Sequence, residues 1–191
     1  AYDDPSRENY NWKSNLIGFE WLQIYDVPVY SRIAVSLSQF DGEVIPNSTT
    51  IKPMKNLIDD FNVSVDFNLV SDSKDEISLG LNLKVLDTQL LSQNTIGAIT
   101  NISRFSGNFS LYGKYKLLRF DDFGLDVGTR INVSGLTRSG SLVPEPRISL
   151  NYRFLPFVSF KGAWGIYLQE VSTVSDEDEV ISFFEPWIII P

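Results

Sequence analysis

The 191-residue chain contains no cysteine and no histidine, and only one methionine. Without cysteine there are no disulfides, thiolate metal sites or thiol nucleophiles. Without histidine there is no imidazole acid–base chemistry, no Ser-His-Asp triad and no His-ligated zinc. Carboxylate pairs and lysine are the main catalytic groups left. No apolar run approaches the 18 or so residues of a spanning helix, which excludes a helical membrane protein but not a barrel that crosses with strands. The N-terminus, AYDDPSRENYNW, lacks a basic-then-apolar signal pattern. Excess positive charge is also missing: the net charge is −8, and no basic stripe with interleaved aromatics occurs, so nucleic acid is excluded as a partner.

What is present is an apolar/polar alternation that runs from about residue 14 to 168. In the third segment Phe61, Val63, Val65, Phe67 and Leu69 oppose Asn62, Ser64, Asp66 and Asn68. In the fourth Ile77, Leu79, Leu81, Leu83 and Val85 oppose Ser78, Gly80, Asn82 and Lys84. A period of two residues marks β-strands, and no helical period competes with it. The pattern predicts an all-β chain of eight strands, near 14–25, 29–40, 57–70, 76–86, 107–118, 124–135, 148–154 and 158–168. Short turns (DVP, SDSKD, RFDDF, LPF) alternate with long links at 41–55, 88–106, 136–146 and from 170 onward. That alternation puts every short turn at one end of the sheet, as in antiparallel up-and-down outer-membrane barrels with short periplasmic turns and long extracellular loops.

Alternation alone leaves the wet side of the sheet open. A soluble barrel buries its apolar face, whereas a membrane barrel turns it to lipid. Strands of about ten residues, longer than the usual five or six, favour the membrane. So do aromatics near strand ends, namely Trp12, Trp21, Tyr25, Tyr30, Phe40, Phe120, Phe123, Phe154, Phe157, Trp164 and Tyr167, which suit interfacial girdles.

Residues 144–169, PEPRISLNYRFLPFVSFKGAWGIYLQ, resemble a recurrent barrel stretch of TonB-dependent outer-membrane receptors, especially the large Bacteroidetes-type transporters. NWKSNLIGFEW followed by VYSRIAVSLSQF is similar to a hairpin of the same family, and SDEDEVISFFEPWIIIP to its next extracellular loop. The resemblance implies a transporter with a barrel of roughly 22 strands plugged by an N-terminal domain. Such a receptor imports a scarce nutrient (siderophore, cobalamin, glycan or peptide) with energy relayed through TonB. Eight strands, without a recognisable plug or TonB box, make residues 1–191 a single barrel segment of that larger protein. The expected setting is the bacterial outer membrane. The expected partners are outer-membrane lipid, the protein's own plug, TonB and a small nutrient, with no cofactor and no catalysis.

On this reading Asn132, Arg147, Tyr167 and Gln169 lie near the extracellular mouth of the lumen and are candidates to touch ligand or a plug loop. Glu20, Asp66, Asp126, Arg130, Arg153 and Lys161 lie lower and face the plug. Solvated or mutually paired lumen polars are the bland alternative for each. The acidic run Asp176–Glu179 lacks the spacing of a calcium loop, so no metal site is expected. The five Asn-x-Ser/Thr sequons, at Asn47, Asn62, Asn101, Asn108 and Asn132, need only chance composition, since three of them arise from Asn and Ser alternating with apolar residues in strands. Two other architectures fit the alternation. A complete eight-stranded barrel would pair its first strand with its eighth. A lipocalin-like carrier would show Gly-x-Trp on its first strand and a C-terminal helix, but Gly18-Phe19-Glu20-Trp21 has the wrong spacing and no helical period appears.

Overall fold

The computed structural model describes residues 9–45, 54–93, 97–134, 142–169, 171–173 and 186–189. The expectations for Asn47 and for Asp176–Glu179 lie outside these residues. Eight strands form one antiparallel sheet in sequence order: β1 (Asn9–Ile24), β2 (Val29–Ile45), β3 (Met54–Val70), β4 (Glu76–Gln93), β5 (Ile99–Leu117), β6 (Phe123–Ser134), β7 (Leu142–Leu155) and β8 (Val158–Gly165). A two-stranded ribbon, β9 (Val171–Thr173) and β10 (Trp187–Ile189), accompanies it. No helix occurs among the described residues. β1 and β8 are both edges, and no pairing joins them.

The strand registers carry the sequence alternation across the whole sheet. Trp21, Ile33, Val65, Leu81, Leu111, Ile131 and Pro144 form one cross-strand row. One residue along each strand, on the opposite face, the row reads Leu22, Arg32, Asp66, Gly80, Tyr112, Arg130 and Glu145. Burial is the reverse of a soluble protein's. Leu79 and Leu111 are 57% and 51% exposed, whereas Asp66 and Asn132 are 3% and 1% exposed. In a one-layer sheet this difference arises from curvature, because side chains converge on the concave face and splay on the convex one. The concave, inner face is the polar one.

Several strands are longer than the alternation indicated. Strands extend into the links expected at 41–55, 88–106 and 136–146, since β2 ends at Ile45, β3 begins at Met54, β4 runs to Gln93, β5 starts at Ile99 and β7 starts at Leu142. The cause is a change of phase. From Ile77 to Val85 the outer face of β4 is apolar, but beyond it the outer positions are Asp87 and Gln89 while Leu86 and Leu90 point inward. On β2 the outer positions become Gln39, Asp41 and Glu43, and Phe40 and Val44 turn inside. The outer apolar band is therefore roughly 27 Å along the strand, or about 21 Å high at a 40° tilt. The strands continue past it as a sheet with wet outer positions. The buried hydrophobic side chains belong to that projecting part: Val44, Leu86 and Leu90, with Ile189 of β10 against the same end of the sheet. The same parity corrects the aromatic girdle. Trp12, Tyr30 and Phe40 occupy inner positions, whereas Trp21, Phe123, Phe154 and Trp164 are outer.

β8 ends at Gly165 rather than near residue 168. In a strand, a residue's N–H and C=O point to the same neighbour. The Pro146 carbonyl accepts from Ile166 N at 3.0 Å, so the donors missing from Pro144 and Pro146 are missing on the β8 side. The Glu145 side chain takes over there, its Oε1 accepting from the Leu168 backbone N–H at 3.2 Å. The β7–β6 ladder continues upward while the β7–β8 ladder stops.

Candidate functional site on the inner face

The inner rows are tied into a hydrogen-bond network perpendicular to the strands. Arg32 donates to Asp66 Oδ2 from Nε (3.0 Å) and Nη2 (2.7 Å), and the Tyr112 hydroxyl donates to Asp66 Oδ1. Asp66 and Tyr112 lie on β3 and β5, with Gly80 of β4 between them. A Cβ at Gly80 would stand 2.4 Å from the Tyr112 ring and 2.7 Å from Asp66 Oδ1. The absent side chain is therefore what lets the tyrosine reach across a whole strand.

A second run starts at Asn62, whose Oδ1 accepts from Asn82 Nδ2 at 2.6 Å. Arg130 donates from Nη2 to Asn82 Oδ1 (2.9 Å) and from Nε to Ser110 Oγ (3.0 Å) and Asn132 Oδ1 (3.1 Å). Asn132 Nδ2 donates to Glu145 Oε1 at 2.6 Å, and Arg147 Nη2 donates to Glu145 Oε2 at 2.5 Å. The Arg147 guanidinium then lies 4.5 Å above the centre of the Tyr167 ring. Gly165 makes room for that stack, because a Cβ there would meet Arg147 Cγ at 3.1 Å and the Tyr167 hydroxyl at 3.2 Å. Networks of this kind rigidify a wall only when each buried member is satisfied, and Glu145, 4% exposed, accepts three bonds.

Of the residues expected at the mouth, Asn132, Arg147 and Tyr167 are brought together around Glu145, while Gln169 stays exposed and donates to the Val171 carbonyl at 2.6 Å. Arg130, expected lower with the plug-facing group, shares a hydrogen bond with Asn132, so the two expected groups form one network at this point. Asp66 sits in the first run. Glu20 is exposed on edge strand β1. Arg153 is 3.7 Å from Asp122 beside a short turn. Asp126 and Lys161 line a shallow recess with Lys116, whose Nζ is 3.1 Å from Glu76. Sequence reasoning missed Gly80, Tyr112 and Glu145 as members of the wall. Their signal is cross-strand and appears only when strand registers are known.

Outside the apolar band, at the short-turn end, Asp75 organises the link after β5. Its Oδ1 accepts from Leu118 N (3.0 Å) and Arg119 N (3.1 Å), and its Oδ2 accepts from the Arg119 guanidinium and from the Tyr115 hydroxyl (2.8 Å). The bond from Arg119 is the largest cause holding the Asp75 carboxyl well below the usual carboxylate range. Among the described residues no group of three or more potential metal ligands comes together.

A polar concave face inside an apolar convex band is the arrangement of a barrel wall that meets lipid outside and water or protein inside. No protein-family model matches the sequence. No curated protein matches it. The siderophore receptor PirA from Pseudomonas aeruginosa superposes on 90% of this chain and 28% of its own length, with a TM-score of 0.60 at 10% identity. The ferric-catecholate import receptor Fiu from E. coli K12 covers 87% of this chain and 33% of its own, with a TM-score of 0.55 at 13% identity. The fold is that of a stretch of antiparallel up-and-down barrel wall. The chain spans about a third or less of the length of these two receptors, and at such identities the likeness is one of fold.

Proposed function

We propose that this chain forms part of the barrel of a TonB-dependent outer-membrane receptor that imports a scarce small nutrient and catalyses no reaction. The observation that carries the reading is the inverted burial: a continuous apolar band faces outward while a hydrogen-bonded polar network lines the concave side. The barrel-wall fold supports it, and so do the open edges at β1 and β8, where further strands would continue the wall. Closure of these eight strands into a small barrel lacks the pairing it would need. In this reading Asn132, Arg147, Tyr167 and Gln169 line the upper lumen, where ligand passes. Glu20, Asp66, Asp126, Arg130, Arg153 and Lys161 face a plug domain of the same protein.

The test is site-directed photocrosslinking in cells that make the whole protein. With a photoreactive residue in place of Asp126, the crosslinked partner is expected to be a plug segment of the same polypeptide, in the outer-membrane fraction. Uptake of the nutrient is expected to require TonB. Crosslinks to lipid from this position, or uptake that persists without TonB, would overturn the reading.

A further inference from the structure

A recess of about 450 Å³ opens on the inner face of β5–β8. Its floor is low because small residues lie in register, with Gly128 between Lys114 and Arg147, and Gly165 and Ala163 beyond. Around it stand Lys114, Arg130, Arg147, Tyr112 and Tyr167, with Asp126 the one carboxylate in the lining. The chain as a whole carries a net charge of −8, so this is a cationic concavity in an acidic protein.

Three donors in this recess are uncommitted among the described residues. Lys114 has no ion-pair or hydrogen-bond partner. Arg130 spends Nε and Nη2 on Ser110, Asn132 and Asn82, leaving Nη1 unused, and its hydrogen-bond partners are all neutral, so no carboxylate pairs with it directly. The Tyr167 ring is fixed beneath Arg147, but its hydroxyl makes no bond. Arg147 differs, because its charge is matched by Glu145. Lys114 and Arg130 are both half-buried. Half-buried cations without a directly paired carboxylate are costly, and a fixed guanidinium offers an anion a preorganised fork. Potential is also focused where low-dielectric walls surround charge of one sign.

We propose that this recess binds an oxyanion, a carboxylate or phosphate group, through Lys114, Arg130 Nη1 and the Tyr167 hydroxyl, with Arg147 and Glu145 positioning Tyr167. The proposal rests on the receptor-wall reading, which makes this face the lumen. The oxyanion belongs either to a transported ligand or to an acidic side chain of the protein that fills the lumen.

The test uses the whole protein, extracted from outer membranes in detergent and titrated calorimetrically with citrate at low salt. If the oxyanion comes with a ligand, the wild type binds citrate, Lys114→Ala weakens binding at least tenfold, and Lys114→Glu abolishes it. Lys55→Ala, which removes an outer-face lysine paired with Asp41, leaves binding unchanged. If a side chain of the protein fills the recess, the wild type binds no citrate, but Lys114→Ala lowers Tm by several degrees while Lys55→Ala does not. Citrate binding indifferent to Lys114, or no binding together with an unchanged Tm in Lys114→Ala, overturns the proposal. Failure of the receptor reading shows separately, as a protein absent from the outer-membrane fraction.

Discussion

Gly80 shows how much a missing side chain can carry. Its Cα lies on the inner face between Asp66 and Tyr112, and a methyl group would collide with both partners of their hydrogen bond. Gly80→Ala is expected to break the Tyr112–Asp66 bond and destabilise the folded protein by about 1–3 kcal/mol, the cost of leaving a buried polar group unpaired. The check is the urea midpoint in detergent, with Tyr112→Phe as the comparison. Once Gly80 has become Ala, Tyr112→Phe should cost little more, because the bond is already lost. Asp75 gives a pH signature at the same scale. Its folded carboxyl is held below the ordinary value by Arg119, Tyr115 and backbone N–H groups. Its contribution is therefore fully present above the unfolded pKa of about 4, and it fades as pH falls below that value toward the depressed folded one. Asp75→Asn should remove that part of the acid sensitivity. Unfolding midpoints of the two proteins between pH 7 and pH 3 should then converge as the pH falls, and parallel curves would refute the assignment. Neither effect was legible in the sequence. Gly80 reads there as one more polar-face residue, and Asp75 as one of several acids in a turn.

At the scale of the strand, the sequence told where the outer apolar band lies but not how far each strand extends. The two-residue rhythm is loudest where one face meets hydrocarbon. Where both faces can be wet the contrast falls, and on β2 and β4 the apolar phase then switches sides. Reading links at 41–55 and 88–106 followed from that loss of contrast. The band has a sharp consequence for mutation. Leu81→Arg, in the middle of the outer band, is expected to cost about 2–4 kcal/mol of folding into a bilayer, whereas Gln89→Arg, outer but past the band, should cost about 0–1 kcal/mol. Equal costs, measured as folding free energies into lipid vesicles, would mean that the band ends elsewhere. The early end of β8 was hidden for a different reason. Pro144 and Pro146 are visible in the sequence, yet which neighbour loses their donors depends on strand orientation. Exchanging both prolines for alanine should let β8 pair upward past Gly165, seen as amide hydrogen-exchange protection of the new N–H groups at positions 144 and 146.

For the molecule as a whole, the sheet order, the antiparallel pairing and the identity of the two faces follow from the sequence pattern carried through strand register. What the pattern could not supply is which face is concave, since a lipocalin-like barrel and a membrane barrel alternate alike. Curvature decides it: Asp66, Ser110, Asn132 and Glu145 are buried on the crowded side, and Leu79, Leu111 and Trp164 spread on the open one. The natural absence of cysteine allows this to be tested with single introduced thiols. Val65 and Ser64 are adjacent on β3 and lie on opposite faces. With a fluorophore attached at Val65→Cys or at Ser64→Cys and the protein folded into bilayers containing brominated lipids, the account expects strong quenching at position 65 and little at position 64. Strong quenching at 64 with none at 65 would contradict it.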